Sequence, residues 1–207
     1  MYHIETITSL SMGENAYVFS AREGKECIVV DPGEKTIGEH PALQNKELQG
    51  ILLTHGHFDH IEGISSLLSR WDVPIYIHHA DQIMLSDARA NLSAMFGTPY
   101  TVSGRVIPLS TEEITVGNFT FQVIPTPGHT KGSVCYQIED HLFTGDTLFD
   151  KSWGRTDFPG GNEEEMEESI TRLMLFPQEW AVYSGHGQQT TILRCKEFFH
   201  ANRLFNQ

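Results

Sequence analysis

The segment Thr54-His55-Gly56-His57-Phe58-Asp59-His60 most restricts what this chain can become. It packs three histidines and an aspartate into six positions directly after the apolar run Gly50–Leu53. At the end of an extended strand His55 and His57 project to the same side and can reach one ion. The turn into a following helix swings Asp59 and His60 toward a neighbouring position. That spacing favours two ions over one.

A single structural ion would be saturated by this run, so further ligands at other strand ends are the test. His129 in Pro127-Gly128-His129-Thr130 follows the strand-like Phe119–Ile124. Asp146 in Gly145-Asp146-Thr147 follows His141–Thr144, and His186 in Gly185-His186-Gly187 follows Trp180–Ser184. Each ligand stands beside glycine, where the backbone can turn tightly and carry it to a sheet edge. Seven groups then converge: His55, His57, Asp59, His60, His129, Asp146 and His186. If Asp146 bridges, one ion receives His55, His57, His129 and Asp146, and the other receives Asp59, His60, Asp146 and His186. Imidazole and carboxylate ligands without thiolate suit zinc, iron or manganese. Two divalent ions, zinc first among them, are the expected cofactors. A pair about 3.5–4 Å apart can hold a shared water, lower its pKa and stabilise the oxyanion formed on attack, which is hydrolase chemistry. In that chemistry Asp59 would orient the water and Asp146 would fix the metal separation.

The rest of the composition bounds the setting. With 207 residues the chain can bury a core without disulfides, and nothing in it reads as a linker or a repeat, so one domain over 1–207 is expected. Fourteen basic against 27 acidic residues give a net charge of −13, which argues against a nucleic-acid partner. Apolar runs such as Ile28-Val29-Val30 fall far short of the ~20 residues of a membrane span. Met1 to Leu10 carries no basic flank, and no signal-like apolar stretch follows it. A cytoplasmic protein acting on a small molecule is the expectation. Cys27, Cys135 and Cys195 are too few and too scattered for a disulfide framework, and Cys27 and Cys135 read as core thiols. Strand-like runs at Ile4–Ser9, Asn15–Ser20, Glu26–Val30, Gly50–Leu53, Ile75–Ile77, Ile114–Val116, Phe119–Ile124, Val134–Ile138, His141–Thr144 and Trp180–Ser184 interleave with helix-like segments. The helical segments are His60–Ser69, His79–Leu85, Glu163–Leu175 and Thr190–Leu204, which makes the class α/β with mixed sheets. The stretch 87–104 reads as neither element, and a loop of that length either lies over a site or is a plain surface excursion.

The H-x-H-x-D-H run with His129, Asp146 and His186 in that order resembles the metallo-β-lactamase-fold hydrolase superfamily, over nearly the whole chain. The resemblance implies an αββα four-layer sandwich with a dinuclear site at one edge of its two sheets. It also gives Asp31, in Val30-Asp31-Pro32-Gly33, a supporting role behind the metal ligands. Gly154-Arg155-Thr156-Asp157-Phe158 is similar to the glyoxalase II-like and persulfide dioxygenase branch. The short, single-domain glyoxalase II-like type is the expected match. It implies hydrolysis of a thioester such as S-lactoylglutathione, or of a related small thioester or ester. The alternative is a persulfide dioxygenase with one iron held by His55, His129 and Asp146. A cysteine ligand, as in the main β-lactamase subclass, is missing, which argues against β-lactam hydrolysis. The longer glyoxalase II enzymes place lysine where Arg155 stands, and tyrosines where Asp157 stands and near Gln188. Arg155 is a candidate clamp for a substrate carboxylate, or else the partner of Asp157 or of the acidic run Glu163–Glu168. Thr54 and Thr130, next to ligands, are expected to hydrogen-bond to them. Asn91, Ser93 and Tyr100 belong to loop packing before any role in the site.

Overall fold

The structure is a computed structural model and describes residues 2–202. One six-stranded sheet contains, in chain order, β1 (Tyr2–Thr8), β2 (Asn15–Ala21), β3 (Glu26–Val30), β4 (Glu47–Leu52), β5 (Ile75–His78) and β6 (Val106–Leu109). The first three are antiparallel, and β3 to β6 run parallel. The second sheet begins with the antiparallel strands β7 (Glu113–Val116), β8 (Phe119–Pro125), β9 (Val134–Ile138) and β10 (His141–Gly145). A small ribbon of β11 (Leu148–Phe149) and β12 (Ser152–Trp153) follows. Then β13 (Ala181–Ser184) adds parallel to β10, and β14 (Thr190–Thr191) closes the edge.

The unbroken apolar run Cys27-Ile28-Val29-Val30 marks a strand covered on both faces. Ile28 and Val30 join Phe19, Leu52, Phe121, Tyr136 and Phe143 between the two sheets. Cys27 and Val29 face the other way, joining Val18 and Ile51 with Ile64 and Leu67 of α1 (Ile64–Leu68). A short α2 (Ser93–Phe96) follows in the long loop. On the far side of the second sheet, Cys135, Leu142 and Val182 meet Met166 and Ile170 of α3 (Glu163–Leu173) and Ile192 and Cys195 of α4 (Ile192–Ala201). Three apolar interfaces between four layers make the αββα sandwich. All three cysteines are buried thiols. Among the described residues no helix is long and apolar enough to cross a membrane.

Several elements differ from the sequence expectation. The helix anticipated over His60–Ser69 shrinks to α1. Ahead of it the backbone bonds are tight i to i−3 turns, His60 N to His57 O and Ile61 N to Phe58 O, and Gly63 N leaves the helix ladder for Pro32 O. His79–Leu85 is likewise a 3-10 turn. Thr190 and Thr191 are drawn into β14, the Thr191 hydroxyl caps Arg194 N of α4, and Leu204 lies outside the described residues. Strand β6 was not anticipated because Val106-Ile107-Pro108-Leu109 contains a proline; it sits at the sheet edge, where a missing N–H is tolerated.

Candidate metal centre

Every proposed ligand leaves the end of a strand. Asp31, just past β3 in the left-handed region at φ 47°, accepts from Thr54 N at 2.7 Å and from the Thr54 hydroxyl at 2.6 Å. This pins the segment after β4. The Thr54 oxygen lies 3.2 Å from His55 Nδ1, and its own proton goes to Asp31, so the imidazole donates there and its Nε2 lone pair faces inward. His60 Nδ1 lies 3.1 Å from Asp31 Oδ2, which turns its Nε2 inward as well. His129, between β8 and β9, donates from Nδ1 to the Arg155 carbonyl at 2.7 Å. Its Nε2 approaches His57 Nδ1 at 2.9 Å.

Asp146 follows β10 and His186 follows β13, each behind a glycine. Gly145 is left-handed at φ +48°, and a Cβ there would overlap the Thr54 hydroxyl. A Cβ on Gly185 would overlap Asp146 Oδ1 and crowd the His60 ring. Asp146 Oδ1 is 3.4 Å from His60 Nε2, while its Oδ2 is 3.5 Å from His129 Nε2 and 3.7 Å from His186 Nε2. His186 Nε2 is also 3.3 Å from Asp59 Oδ2. Ligand atoms therefore gather as His55, His57 and His129 on one side, as Asp59, His60 and His186 on the other, and as His55, His60 and Asp146 between them. Within each group the atoms lie within 4.8 Å of one another.

The donor chemistry fits metal ions. His55 Nε2, His60 Nε2 and Asp146 Oδ1 are buried without any hydrogen-bond partner, a costly state unless a cation receives them. Burial, together with the neighbouring imidazoles, pushes His55 well below the usual histidine range. Burial and His129 bring His57 down to about 3, so both are neutral imidazoles with a lone pair to offer at physiological pH. Burial opposes the charged form of Asp146, but His60, His129 and His186 outweigh it and hold the carboxyl well below its ordinary range. In His60, burial is outweighed by Asp146 and Asp59, which raise it.

The remaining anticipated residues are placed differently. The Thr130 hydroxyl bonds Asp81 at 2.6 Å and Ser133 at 2.7 Å rather than a ligand. Arg155 lines the cavity above the candidate ligands, yet its guanidinium is paired in bidentate fashion with Asp157 at 2.6 and 2.7 Å; its carbonyl is the group that orients His129. Asn91 serves the loop, donating to Met84 O and Tyr100 O. Loop 87–104 does reach the cavity, through Leu92 and Phe96.

Three polar residues were missed. Glu14 is fully buried 3.9 Å from His60 Nδ1, its carboxyl pushed well up chiefly by burial. Asp81 ties Thr130 and Gly132 N together. Asn15 donates from its side chain to Ser184 O at 3.2 Å and Gly187 O at 2.8 Å, and its backbone N donates to Gly185 O at 2.7 Å, so it clamps the loop bearing His186. The sequence signal for Asn15 is only that it opens a strand. Asn15→Ala is expected to weaken the ion beside His186 at least about tenfold while the ion beside His55 and His57 stays. Stepwise chelator titration of the loaded protein reads this as one early and one unchanged transition.

Two facing sheets with a histidine and carboxylate centre at their common edge define a class of metal-dependent proteins, and the comparisons agree. Residues 12–186 match the family model of the metallo-beta-lactamase superfamily, and the chain belongs to that superfamily. A probable metallo-hydrolase of Bacillus subtilis, YqgX, is 36% identical over 86% of this chain and 87% of its own length. The hydroxyacylglutathione hydrolase of Shewanella halifaxensis is 34% identical over 90% of this chain and 66% of its own length. Among solved structures, BLEG-1 B3 metallo-beta-lactamase superposes with a TM-score of 0.88 at 34% identity, covering 95% of this chain and 97% of that one. TTHA1623 in a di-iron-bound form gives a TM-score of 0.78 at 30% identity, covering 95% and 96%.

Proposed function

We propose that this chain is a dinuclear metal-dependent hydrolase that transfers the acyl group of a small thioester or ester to water. The observation that carries the reading is Asp146, whose Oδ2 lies between His129 and His186 and whose Oδ1 lies beside His60, so that it reaches both sets of histidines at the floor of an open cavity. His55, His57 and His129 would hold one ion, Asp59, His60 and His186 the other, with Asp146 shared. When bound, such ions supply Lewis acidity and a water of lowered pKa. Asp59, whose Oδ2 lies 3.3 Å from His186 Nε2, would orient the attacking water.

The name of the Shewanella relative favours a thioester over other acyl substrates, and that of BLEG-1 keeps a β-lactam in view. Zinc is the first expectation for the metal, with iron next because TTHA1623 holds two irons. Three buried cysteines, none paired with another, suit a cytoplasmic setting. Metal analysis after anaerobic purification tests the proposal. Two equivalents of metal with thioester hydrolysis are expected. One iron per chain with oxygen uptake on glutathione persulfide, or turnover of a chromogenic cephalosporin with none of any thioester, would overturn it.

A further inference from the structure

The cavity over the metal centre measures about 290 Å³, and its walls differ from its floor. The floor is histidine and aspartate. The walls are apolar: Met12, Phe58, Leu92, Phe96, Phe149 and Phe158. Phe58 and Phe96 stack at 5.7 Å between centroids, and Phe158 meets Phe96 edge-on at 5.9 Å, so three rings form a continuous platform beside His57. Phe96 remains 52% exposed and Met12 44% exposed, apolar surface left open at the mouth of a polar site.

Cationic recognition is weak by comparison. Arg155 is the only lysine or arginine lining the cavity among the described residues. Its guanidinium is occupied twice over, by the Asp157 carboxylate and by the Phe158 ring at 4.0 Å. A substrate carboxylate would have to displace Asp157 from an arginine already satisfied, and the chain's net charge of −13 repels an anionic carrier at longer range.

From this we infer that the part of the substrate remote from the scissile bond is uncharged and apolar, an aryl or branched alkyl group seated on Phe58, Phe96 and Phe158. A charged peptide carrier such as glutathione is not what the cavity recognises. The inference rests on the hydrolase reading. In the reaction the water oxygen bonds the acyl carbon, the carbon–sulfur bond breaks, and the sulfur leaves with one proton of the water as the thiol, giving the free acid. The platform takes no part in those steps. It lowers the barrier by burying the apolar group alongside the reacting bond.

The test uses the metal-loaded protein with S-benzyl thioacetate, S-ethyl thioacetate and S-lactoylglutathione. The benzyl ester is expected to exceed the ethyl ester at least about tenfold in kcat/KM, the scale on which apolar pockets discriminate, and to exceed S-lactoylglutathione. Phe96→Ala is expected to shrink the benzyl-to-ethyl ratio to below about threefold. A readout without turnover accompanies these: benzylacetone, the ketone with CH2 in place of sulfur, should shift the Met12 methyl resonance, and S-methylglutathione should not. A preference for S-lactoylglutathione, or a benzyl-to-ethyl ratio near one, overturns the inference while leaving the hydrolase standing. Failure to hydrolyse any of the three thioesters by a two-metal protein overturns both.

Discussion

Asp146→Ala is expected to lose both metal ions, not one, and to lower hydrolysis at least about a thousandfold. Two cations about 3.5–4 Å apart repel strongly, and a shared carboxylate is what allows both to stay. Asp146 stands, largely covered, among His60, His129 and His186, which hold it ionised, so its charge is available between the two sets of candidate ligands. The fold should survive the change, because none of the three apolar interfaces includes this residue. His186→Ala provides the contrast: it is grouped only with Asp59 and His60, reaches the other set only through the shared Asp146 at 3.7 Å, and should cost one ion. Elemental analysis after gel filtration separates the outcomes. A full complement of two ions in Asp146→Ala would show that this carboxylate does not bridge.

The sheets were legible because their strands are short, apolar and bounded, and a run such as Cys27–Val30 announces burial on both faces. The grouping of His55, His57 and His60 was legible for a different reason: neighbours in sequence at a strand end are neighbours in space. His129, Asp146 and His186 could be attached to them only through a repeated context, a ligand beside glycine after a strand. Glu14, Asn15 and Asp81 have no such context. Asn15 reaches carbonyls 169 and 172 residues away, and Asp81 reaches donors 49 and 51 residues away, so their partners are set by the closing of one sheet on the other. In the sequence Asp81 is merely an acidic residue in the first turn of a helical segment. The aromatic platform was equally hidden, since Phe58, Phe96 and Phe158 come from three separate loops.

Asp81 is where a stability effect should be largest. Its Oδ1 accepts from Gly132 N at 2.8 Å and its Oδ2 from the Thr130 hydroxyl at 2.6 Å, with 1% of its surface exposed. It thereby fixes the turn that follows His129. Burial pushes its carboxyl up, and Thr130, Gly132 and the Gly56 backbone pull it only part of the way back. Asp81→Ala leaves Gly132 N buried without an acceptor, and the expected loss is about 3–5 kcal/mol, a fall in Tm on the order of 10 °C for a chain of this length. Asp81→Asn behaves differently. The amide oxygen can still accept from Gly132 N, and its NH2 can donate to the Thr130 oxygen, whose proton then turns to Ser133 Oγ at 2.7 Å. A loss of about 1 kcal/mol or less is expected at neutral pH. Because the folded-state pKa of Asp81 is raised, the wild-type protein gains stability as the carboxyl protonates and loses that gain as pH rises through the folded value. The gap between wild type and Asp81→Asn should therefore widen from pH 7 toward pH 4. Thermal melts of both variants across that range check it, and an alanine variant as stable as wild type would remove Asp81 from any role in holding the His129 loop.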